Sequence, residues 1–508
     1  MTKVVVDGRT LSYGDVVAVA HQGAQVALGD GVLSRLADER AVVDDVVDRQ
    51  MPTYGLTTGL GARSSYALPR AELDAFSVRT VRGRANAVGD PLPAPVVRAA
   101  LLARVNGLAG GGSGVSPQVP RLLVALLNAR VHPVIPEVGS IGASDLCQMA
   151  HAGLVVIGEG SAEYGGEVLD GGTALRRAGL APVALGPKDG HVLCSASPLA
   201  AGVGALALHE AGAVLALAQA VTALTYEGFR ANTSPLDPRI LALRPAPGQS
   251  RAAGGLLALL DGGDLGDPRN ARRVQDPVSL RCAAQVHGAG YAALDFADAA
   301  LRPELNGCGD NPVVLPGTGE ILSSGNFHTP GLALAYDTLA LALTQTAAIC
   351  AERMRRLLDP AVSGLPANLS PYGPERSGFA PLVKTAQALV AEVRMLSAPV
   401  CTDPRQGADA VEDDSTNAAL GARRLTTMLG RLRQLLAVEA VVAAQAVDLA
   451  APAALGRGPE FLHRTIRKAV PRLDDDRPHG VDVETVSCDI LGSDDVRSTL
   501  NALAGDTT

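Results

Sequence analysis

Apolar residues along most of the chain recur at the three- and four-residue spacing of helices. The longest such stretches are rich in alanine and leucine, which is typical of helices that pack closely against one another. They lie at residues 199–224, 280–300, 332–358, 379–396 and 416–449. The pattern therefore predicts a mainly α-helical fold with a central bundle of long helices.

The pattern is more mixed before residue 200. It predicts a short strand over residues 3–6, a helix that begins after Ser12, and more helix to about residue 50. Residues 51–67 are rich in glycine and threonine, which favours a functional loop. Alternating apolar residues around a YGGE turn within 155–169 predict a β-hairpin. The N-terminal part is thus a smaller α/β region.

No long polar linker interrupts the 508 residues, so one large fold with subordinate lobes is expected. We predict three consecutive segments. An N-terminal domain covers residues 1–200, the helical bundle covers 201–470, and a tail over 471–508 packs on the bundle.

Charge and composition narrow the possible partners. The net charge of −8 leaves no basic excess to neutralise a phosphate backbone, so a small molecule is favoured over nucleic acid. Charged residues such as Glu210, Glu352 and Glu439 interrupt the long apolar runs, so no membrane span is predicted.

The seven cysteines are widely spaced, and the nine histidines show no HxxxH or HxH spacing. We therefore predict neither a disulfide framework nor a metal site. The first twenty residues lack the features of a signal peptide, so a cytoplasmic protein is expected.

The most specific string is HPVIPEVGSIGASDLCQMAH at residues 132–151. It resembles the cofactor-forming segment of the histidine, phenylalanine and tyrosine ammonia-lyases and aminomutases. Those proteins cyclise an Ala-Ser-Gly triad into methylidene-imidazolone, an electrophile made from the chain itself. In this chain Ala143 and Ser144 are followed directly by Asp145.

The resemblance extends in order over almost the whole chain. The further matching strings are YGLTTGLG at 54–61, GDPL at 89–92, NGLAGGGSG at 106–114, RPAPGQ at 244–249, QDPVSLRCAAQVHGA at 275–289, ELNGCGDNP at 304–312, SSGNFH at 323–328 and SGLPANL at 363–369. The resemblance implies the ammonia-lyase fold, which is shared with the fumarase and aspartase type. It also implies a homotetramer whose sites are assembled from loops of more than one chain.

The missing glycine bears on the cofactor. Cyclisation needs the amide nitrogen of the third residue to attack the carbonyl carbon of the first, across a bend that glycine adopts at little steric cost. Here that nitrogen belongs to Asp145, whose side chain is expected instead to cap the following helix through the Cys147 or Gln148 amide. Formation of the cofactor from Ala143, Ser144 and Asp145 stays open.

Other roles follow from the resemblance. Tyr54 matches the base that removes the β-proton, and Arg281 matches the arginine that binds the substrate α-carboxylate. A tyrosine that anchors its loop and an arginine in a structural ion pair are the alternatives.

Four more positions match residues of the family active site. Asn311 and Gln275 match residues that hold the substrate or electrophile by hydrogen bonds, and either could instead serve a turn or a helix cap. Phe327 matches an active-site aromatic or a core residue. Glu412 matches the acid that handles the amine proton, or else it is a solvated acid.

The chain also departs from the family pattern. Val278 replaces a second tyrosine and cannot transfer a proton, and Ser195 replaces an asparagine. Val411 and Asp414 replace the glutamine and histidine of the QEDH string. Arg84 occupies the position that faces the substrate side chain, so it selects an acidic or polar side chain or pairs internally with an acid such as Glu412.

Two hypotheses about function result. The first is a carbon-nitrogen lyase or aminomutase-like enzyme that acts on an amino acid or a derived carboxylate, either through the electrophile or by elimination, addition or cyclisation without it. The second is a catalytically silent relative that serves as a binding or scaffold subunit.

Overall fold

The computed structural model describes residues 3–402 and 411–505, and this part of the chain is mainly helical. The strands are short: β1 (Lys3–Val6), β2 (Gln25–Leu28), β3 (Val88–Pro91), β4 (His132–Pro133), β5 (Pro136–Val138), β6 (Ser161–Tyr164), β7 (Glu167–Asp170), β8 (Val313–Leu315) and β9 (Glu320–Leu322).

The α-helices range from a single turn to 33 residues. They are α1 (Tyr13–Ala20), α2 (Val32–Asp48), α3 (Leu73–Arg84), α4 (Ala94–Gly110), α5 (Gln118–Ala129), α6 (Leu146–Val156), α7 (Gly171–Arg177), α8 (Asp189–Cys194), α9 (Pro198–Phe229), α10 (Pro238–Ala242), α11 (Gln249–Leu260), α12 (Val278–Arg281), α13 (Ala283–Leu305), α14 (Pro330–Leu358), α15 (Pro360–Ser363), α16 (Leu382–Leu396), α17 (Ala418–Ala450), α18 (Arg457–Ala469), α19 (His479–Thr485) and α20 (Asp494–Leu503). The prediction of long helices is confirmed.

The N-terminal elements follow local sequence signals. Ser12 caps α1, and its side chain and that of Asp15 form a reciprocal capping box. β1 is present as predicted and pairs in parallel with β2. β2 was not predicted, because helix was expected from Ser12 to about residue 50. The predicted hairpin is confirmed, because β6 and β7 pair antiparallel and Tyr164 lies opposite Glu167.

The chain divides into two compact units. The first unit comprises residues 1–209, 298–337 and 399–423, and the second comprises 210–297, 338–398 and 424–508. Four of the five boundaries fall inside helices, namely α9, α13, α14 and α17, so each unit draws on separate parts of the sequence. The three consecutive segments predicted from the sequence stay a prediction.

The second unit is held together by tightly packed helix segments. A Cβ added at Gly228 on α9 would lie 2.7 Å from the Ala446 Cβ on α17, so the two helices approach closely. Arg353 on α14 forms a bidentate pair with Glu439 on α17, and Thr225 donates to the same carboxylate. Arg353 and Glu439 are fully buried, so the pair joins three helices in a sealed core.

Within the described residues, two helical stretches are long and apolar enough to cross a membrane by length and composition alone. They are Asp189–Phe229 and Pro330–Leu358. The most apolar windows of these stretches are 67% and 56% buried within the protein. Such burial is typical of core helices.

Candidate active site

A cavity of about 370 Å³ in the first unit collects most of the predicted site residues. Its walls come from the glycine-rich loop before α3, the end of α3, the turn before α6, the end of α8, and the chain around β8 and β9. The predicted residues that line it are Tyr54, Arg84, Ala143, Ser144, Ser195, Asn311, Phe327 and Glu412. Its volume suits a small-molecule ligand.

Tyr54 is held by its own loop. Its phenol oxygen accepts a hydrogen bond from the Gly61 amide at 3.2 Å, and its ring contacts the His191 ring edge-on, with 5.9 Å between centroids. Gly55 has φ +64°, and a Cβ there would lie 2.4 Å from His191 Nδ1. Glycine is therefore needed beside Tyr54 both for the backbone conformation and for the space that His191 occupies.

His191 lines the cavity although the sequence did not single it out. Burial, together with the positive charges of Lys188 and Arg84, lowers the pKa of His191 to about 3. The imidazole is therefore neutral at pH 7, and its buried Nδ1 has no hydrogen-bond partner. The signal in the sequence was its position four residues before Ser195, which the resemblance to the family had singled out.

A tight turn presents Ser144 to the cavity. Ser144 has φ +65°, and the Ser140 hydroxyl donates to its carbonyl oxygen at 3.2 Å. The neighbouring Gly142 is packed against Thr416, whose Oγ1 lies 2.1 Å from the position that a Cβ would take. The turn is thus fixed from both sides.

Asp145 does not cap α6, which corrects the expectation from the sequence. Its carboxylate accepts hydrogen bonds from the Ser140 hydroxyl at 2.6 Å and from the Ala200 amide at 2.9 Å. The residue is fully buried, and burial raises the pKa of its carboxyl group despite these donors. The non-local partners of Asp145 win because they satisfy both carboxylate oxygens, whereas a cap satisfies one.

The segment does not fit the self-made cofactor. Ring closure needs the Asp145 nitrogen to attack the Ala143 carbonyl carbon, but that N–H donates to the Ala196 carbonyl oxygen at 2.8 Å. Closure would break this bond and displace the buried carboxylate from Ser140 and Ala200. A glycine at this position would have no side chain to anchor.

The remaining predicted residues in the cavity differ in how they are held. Asn311 accepts from the Ser324 amide at 2.9 Å, and the Ser195 hydroxyl donates to the His191 carbonyl at 2.9 Å. In the part of the chain that the structure describes, no hydrogen bond or ion pair involves the Arg84 guanidinium. A guanidinium group in this setting is chemically suited to an anionic or carbonyl-bearing group.

Arg281 and Gln275 belong to the second unit and are not among the residues that line the cavity. Gln275 is exposed, and Arg281 is half-buried with its Nε lacking a hydrogen-bond partner. Val274 and Val278 on the same segment are 94% and 57% exposed. The structure thus brings these two predicted residues to a surface and not to the cavity.

A buried charge cluster behind the cavity was also missed by the sequence analysis. Arg104 forms a bidentate pair with Asp310, at 2.7 and 3.0 Å, and Lys188 donates to the Ser113 carbonyl nearby. Burial would raise the pKa of Asp310, but the positive charges of Arg104 and Lys188 outweigh it and lower the pKa. Asp310 directly precedes Asn311, so the cluster fixes the turn that carries Asn311 into the cavity.

A metal centre has no support in the geometry of residues 3–402 and 411–505, where no group of three or more His, Cys, Asp or Glu side chains is placed to hold an ion. The side chains that line the cavity offer hydroxyl, imidazole, guanidinium and carboxylate groups.

The fold is mainly helical with a polar cavity in the first unit, and comparison with known proteins identifies the family. Residues 11–468 match the aromatic amino acid lyase family. Histidine ammonia-lyase from Treponema denticola is 40% identical over 476 residues, which are 93% of this chain and 94% of the relative.

Solved structures agree. Ergothionase, an ergothioneine-degrading enzyme from Treponema denticola, superposes with a TM-score of 0.92 at 30% identity and covers 99% of this chain and 100% of its own. Tyrosine aminomutase from Streptomyces globisporus superposes with a TM-score of 0.92 at 31% identity and covers 100% and 99%.

The chain therefore belongs to the aromatic amino acid lyase family, and the predicted ammonia-lyase-like fold is confirmed. It is an ammonia-lyase-type enzyme, that is, a carbon-nitrogen lyase.

Proposed function

We propose that this enzyme acts on an amino acid, or a carboxylate derived from one, whose side chain carries an acidic or polar group, and that it does so without methylidene-imidazolone. The observation that carries the proposal is the pairing of two features in one cavity. Asp145 is anchored where the cofactor requires a free amide, and Arg84 lines the same cavity as Tyr54 with no hydrogen bond or ion pair from its guanidinium to the described residues.

A polar group on the substrate side chain would make the β-proton easier to remove, without methylidene-imidazolone. Removal of a β-proton is difficult unless the resulting negative charge is delocalised. A carboxyl or carbonyl group next to the β-carbon delocalises it, and a guanidinium at that oxygen stabilises it further. Arg84 fits this role, because an anionic partner stabilises a half-buried guanidinium group.

In the proposed elimination, Tyr54 takes the β-proton as the phenolate, and the Gly61 amide that donates to its oxygen stabilises that anion. The electron pair of the C–H bond forms the C=C double bond, and the C–N bond breaks. The nitrogen leaves as ammonia with the electron pair of the C–N bond, and Tyr54 later releases its proton to solvent. Reaction in reverse would be an addition.

The other cavity residues are proposed to position the substrate. Glu412 accepts a hydrogen bond from the substrate ammonium group, and Asn311 and Ser195 bind polar atoms near the reacting carbons. Phe327 packs against the carbon chain. Ser144 contributes its hydroxyl in place of the absent electrophile, on the turn that Ala143 and Asp145 hold.

Arg281 and Gln275 are proposed to reach the cavity of another copy in a homotetramer, where Arg281 binds the α-carboxylate. Their segment exposes Val274 and Val278, and apolar side chains this exposed are typical of a surface that another chain covers. Mixing Tyr54→Phe and Arg281→Ala subunits should restore activity in sites that contain neither change. Activity that stays absent in verified mixed tetramers would contradict the shared site.

We propose a cytoplasmic location for the assembled enzyme. Fractionation of cells that express the full chain would test it, and recovery with the membrane fraction would contradict it.

The first experiment is an intact mass of the purified protein. Cofactor formation would remove two water molecules, and we expect the full mass of the sequence. The second is release of ammonia and an unsaturated acid from L-aspartate, compared with L-histidine and L-phenylalanine, with L-aspartate expected to react.

Tyr54→Phe should then lower turnover by about 10²–10⁴-fold. Tyr164→Phe on β6, outside the cavity, is the matched control. Turnover of L-histidine by protein that lacks two waters would contradict the proposal. No binding of any amino acid would favour the silent scaffold subunit.

A further inference from the structure

A second cavity, of about 830 Å³, borders the first within the first unit. We call it the outer cavity; it lies between the loop residues 59–68 and α3. It shares Leu60 and Arg84 with the site described above. Leu60 and Arg84 therefore form part of the wall of both cavities.

The outer cavity is strongly cationic. Three arginines line it, Arg63, Arg79 and Arg84, and no Asp or Glu is among its lining residues. Arg79 pairs with Glu72 at 2.6 Å, whereas no hydrogen bond or ion pair in the described part of the chain involves the Arg63 or Arg84 side chain. Guanidinium groups gathered in this way are suited to a carboxylate or phosphate group.

Aromatic and apolar side chains complete the outer cavity. Tyr66 is 67% exposed, and Phe76 and Leu68 are half-buried beside it. An exposed aromatic ring next to guanidinium groups offers a flat surface to a planar group such as an amide. The lining thus suits a connecting segment that ends in an anion.

We infer that the substrate is an elongated amino acid, with a carbonyl group beside the β-carbon at Arg84 and a side chain that continues into the outer cavity to an anionic terminus at Arg63. The inference rests on the proposed function, because it assigns the reacting end to the first cavity. It adds the substrate class, a side-chain amide or ester conjugate with a distal acid, and it makes Arg63 a specificity residue.

Three probes separate the parts of this inference in calorimetric titrations of the full-length protein. L-aspartate fills only the first cavity, β-aspartylglycine adds a distal carboxylate, and β-aspartylglycinamide adds the same length without the charge. We expect β-aspartylglycine to bind about tenfold more tightly than its amide, as one charge-assisted hydrogen bond allows.

Arg63→Gln should reduce the ratio of the two affinities to about one. Arg82→Gln is the matched control: Arg82 lies on α3, pairs with Glu159 and does not line either cavity, so the ratio should stay near ten. A thermal melt of each variant shows that it is folded.

Equal binding of the acid and the amide by the unaltered protein would overturn the inference while leaving the proposed function standing. An equal loss of the ratio in Arg82→Gln would also overturn it, because it would indicate a general effect of positive charge. If none of the three probes binds, the proposed function fails and the inference fails with it.

Discussion

The two compact units each contain a buried arginine-carboxylate pair and a buried histidine, but among the described residues only the groups of the first unit adjoin a cavity. Each holds a bidentate arginine-carboxylate pair that is almost fully buried, Arg104–Asp310 in the first and Arg353–Glu439 in the second. Each also holds a histidine whose pKa burial lowers to about 3, His191 in the first and His287 in the second.

The difference lies in what surrounds them. In the second unit His287, Arg353 and Glu439 are sealed among helices, and both ring nitrogens of His287 lack partners. In the first unit His191 lines the cavity and contacts Tyr54, and Asp310 fixes the turn of Asn311. A buried ion pair or a neutral histidine is therefore no sign of a site by itself; the adjoining cavity makes the difference.

The largest expected effect comes from breaking either ion pair. Glu439→Gln and Asp310→Asn should each lower the free energy of unfolding by about 3–5 kcal/mol, because each leaves an arginine charge buried without its partner. Denaturant titration measures this. Only Asp310→Asn should also weaken ligand binding, since it alone supports the cavity.

An exposed pair supplies the control. Asp298→Asn breaks the surface pair with Arg302 on α13 and should change the free energy of unfolding by less than about 1 kcal/mol. Equal loss of binding in Glu439→Gln and Asp310→Asn would remove the distinction between the units.

The next effect is the pH dependence of stability from the two histidines. Their folded-state pKa of about 3 lies below the ordinary value of 6.5, so the unfolded chain binds more protons at acidic pH. Stability contributed by each is present above pH 6.5 and falls as the pH decreases, by about 2 kcal/mol per histidine between pH 7 and 5.

Replacement of either histidine tests this. His287→Leu and His191→Gln should each flatten the pH dependence by the same amount, measured by denaturant titration at pH 5 and pH 7. Binding of L-aspartate should change only in His191→Gln. An unchanged slope in both variants would show that neither histidine is held neutral.

The smallest expected effect compares two glycines. Gly55→Ala should destabilise the protein by about 1–2 kcal/mol and weaken ligand binding. The backbone at residue 55 is left-handed, and a Cβ there would also clash with His191. Gly254→Ala on α11, with open space around it, should stabilise by about 0.5–1 kcal/mol. Thermal melts separate the two, and a stabilised Gly55→Ala would contradict the contact between the loop and His191.

Much of the fold was open to prediction because its signals are local. The capping box at Ser12, the hairpin at Tyr164 and the helical spacing of α9 and α17 depend on residues only a few positions apart. Eight of the sixteen residues that line the candidate cavity were among the predicted site residues, since the strings that carry them match the family closely. β2 was missed, because its four residues pair with β1 across an intervening helix.

The sequence alone therefore determined the helical class and the family, and it indicated several of the loops that line the cavity. Tertiary structure decided which groups meet. Asp145 binds Ser140 and Ala200 and not the helix that it precedes, His191 packs against Tyr54, and Arg281 lies in the other unit. The physical reason is range: helical periodicity and caps arise from neighbours in the chain, whereas the partner of a buried polar group is set by whatever the packed fold brings within about 3 Å.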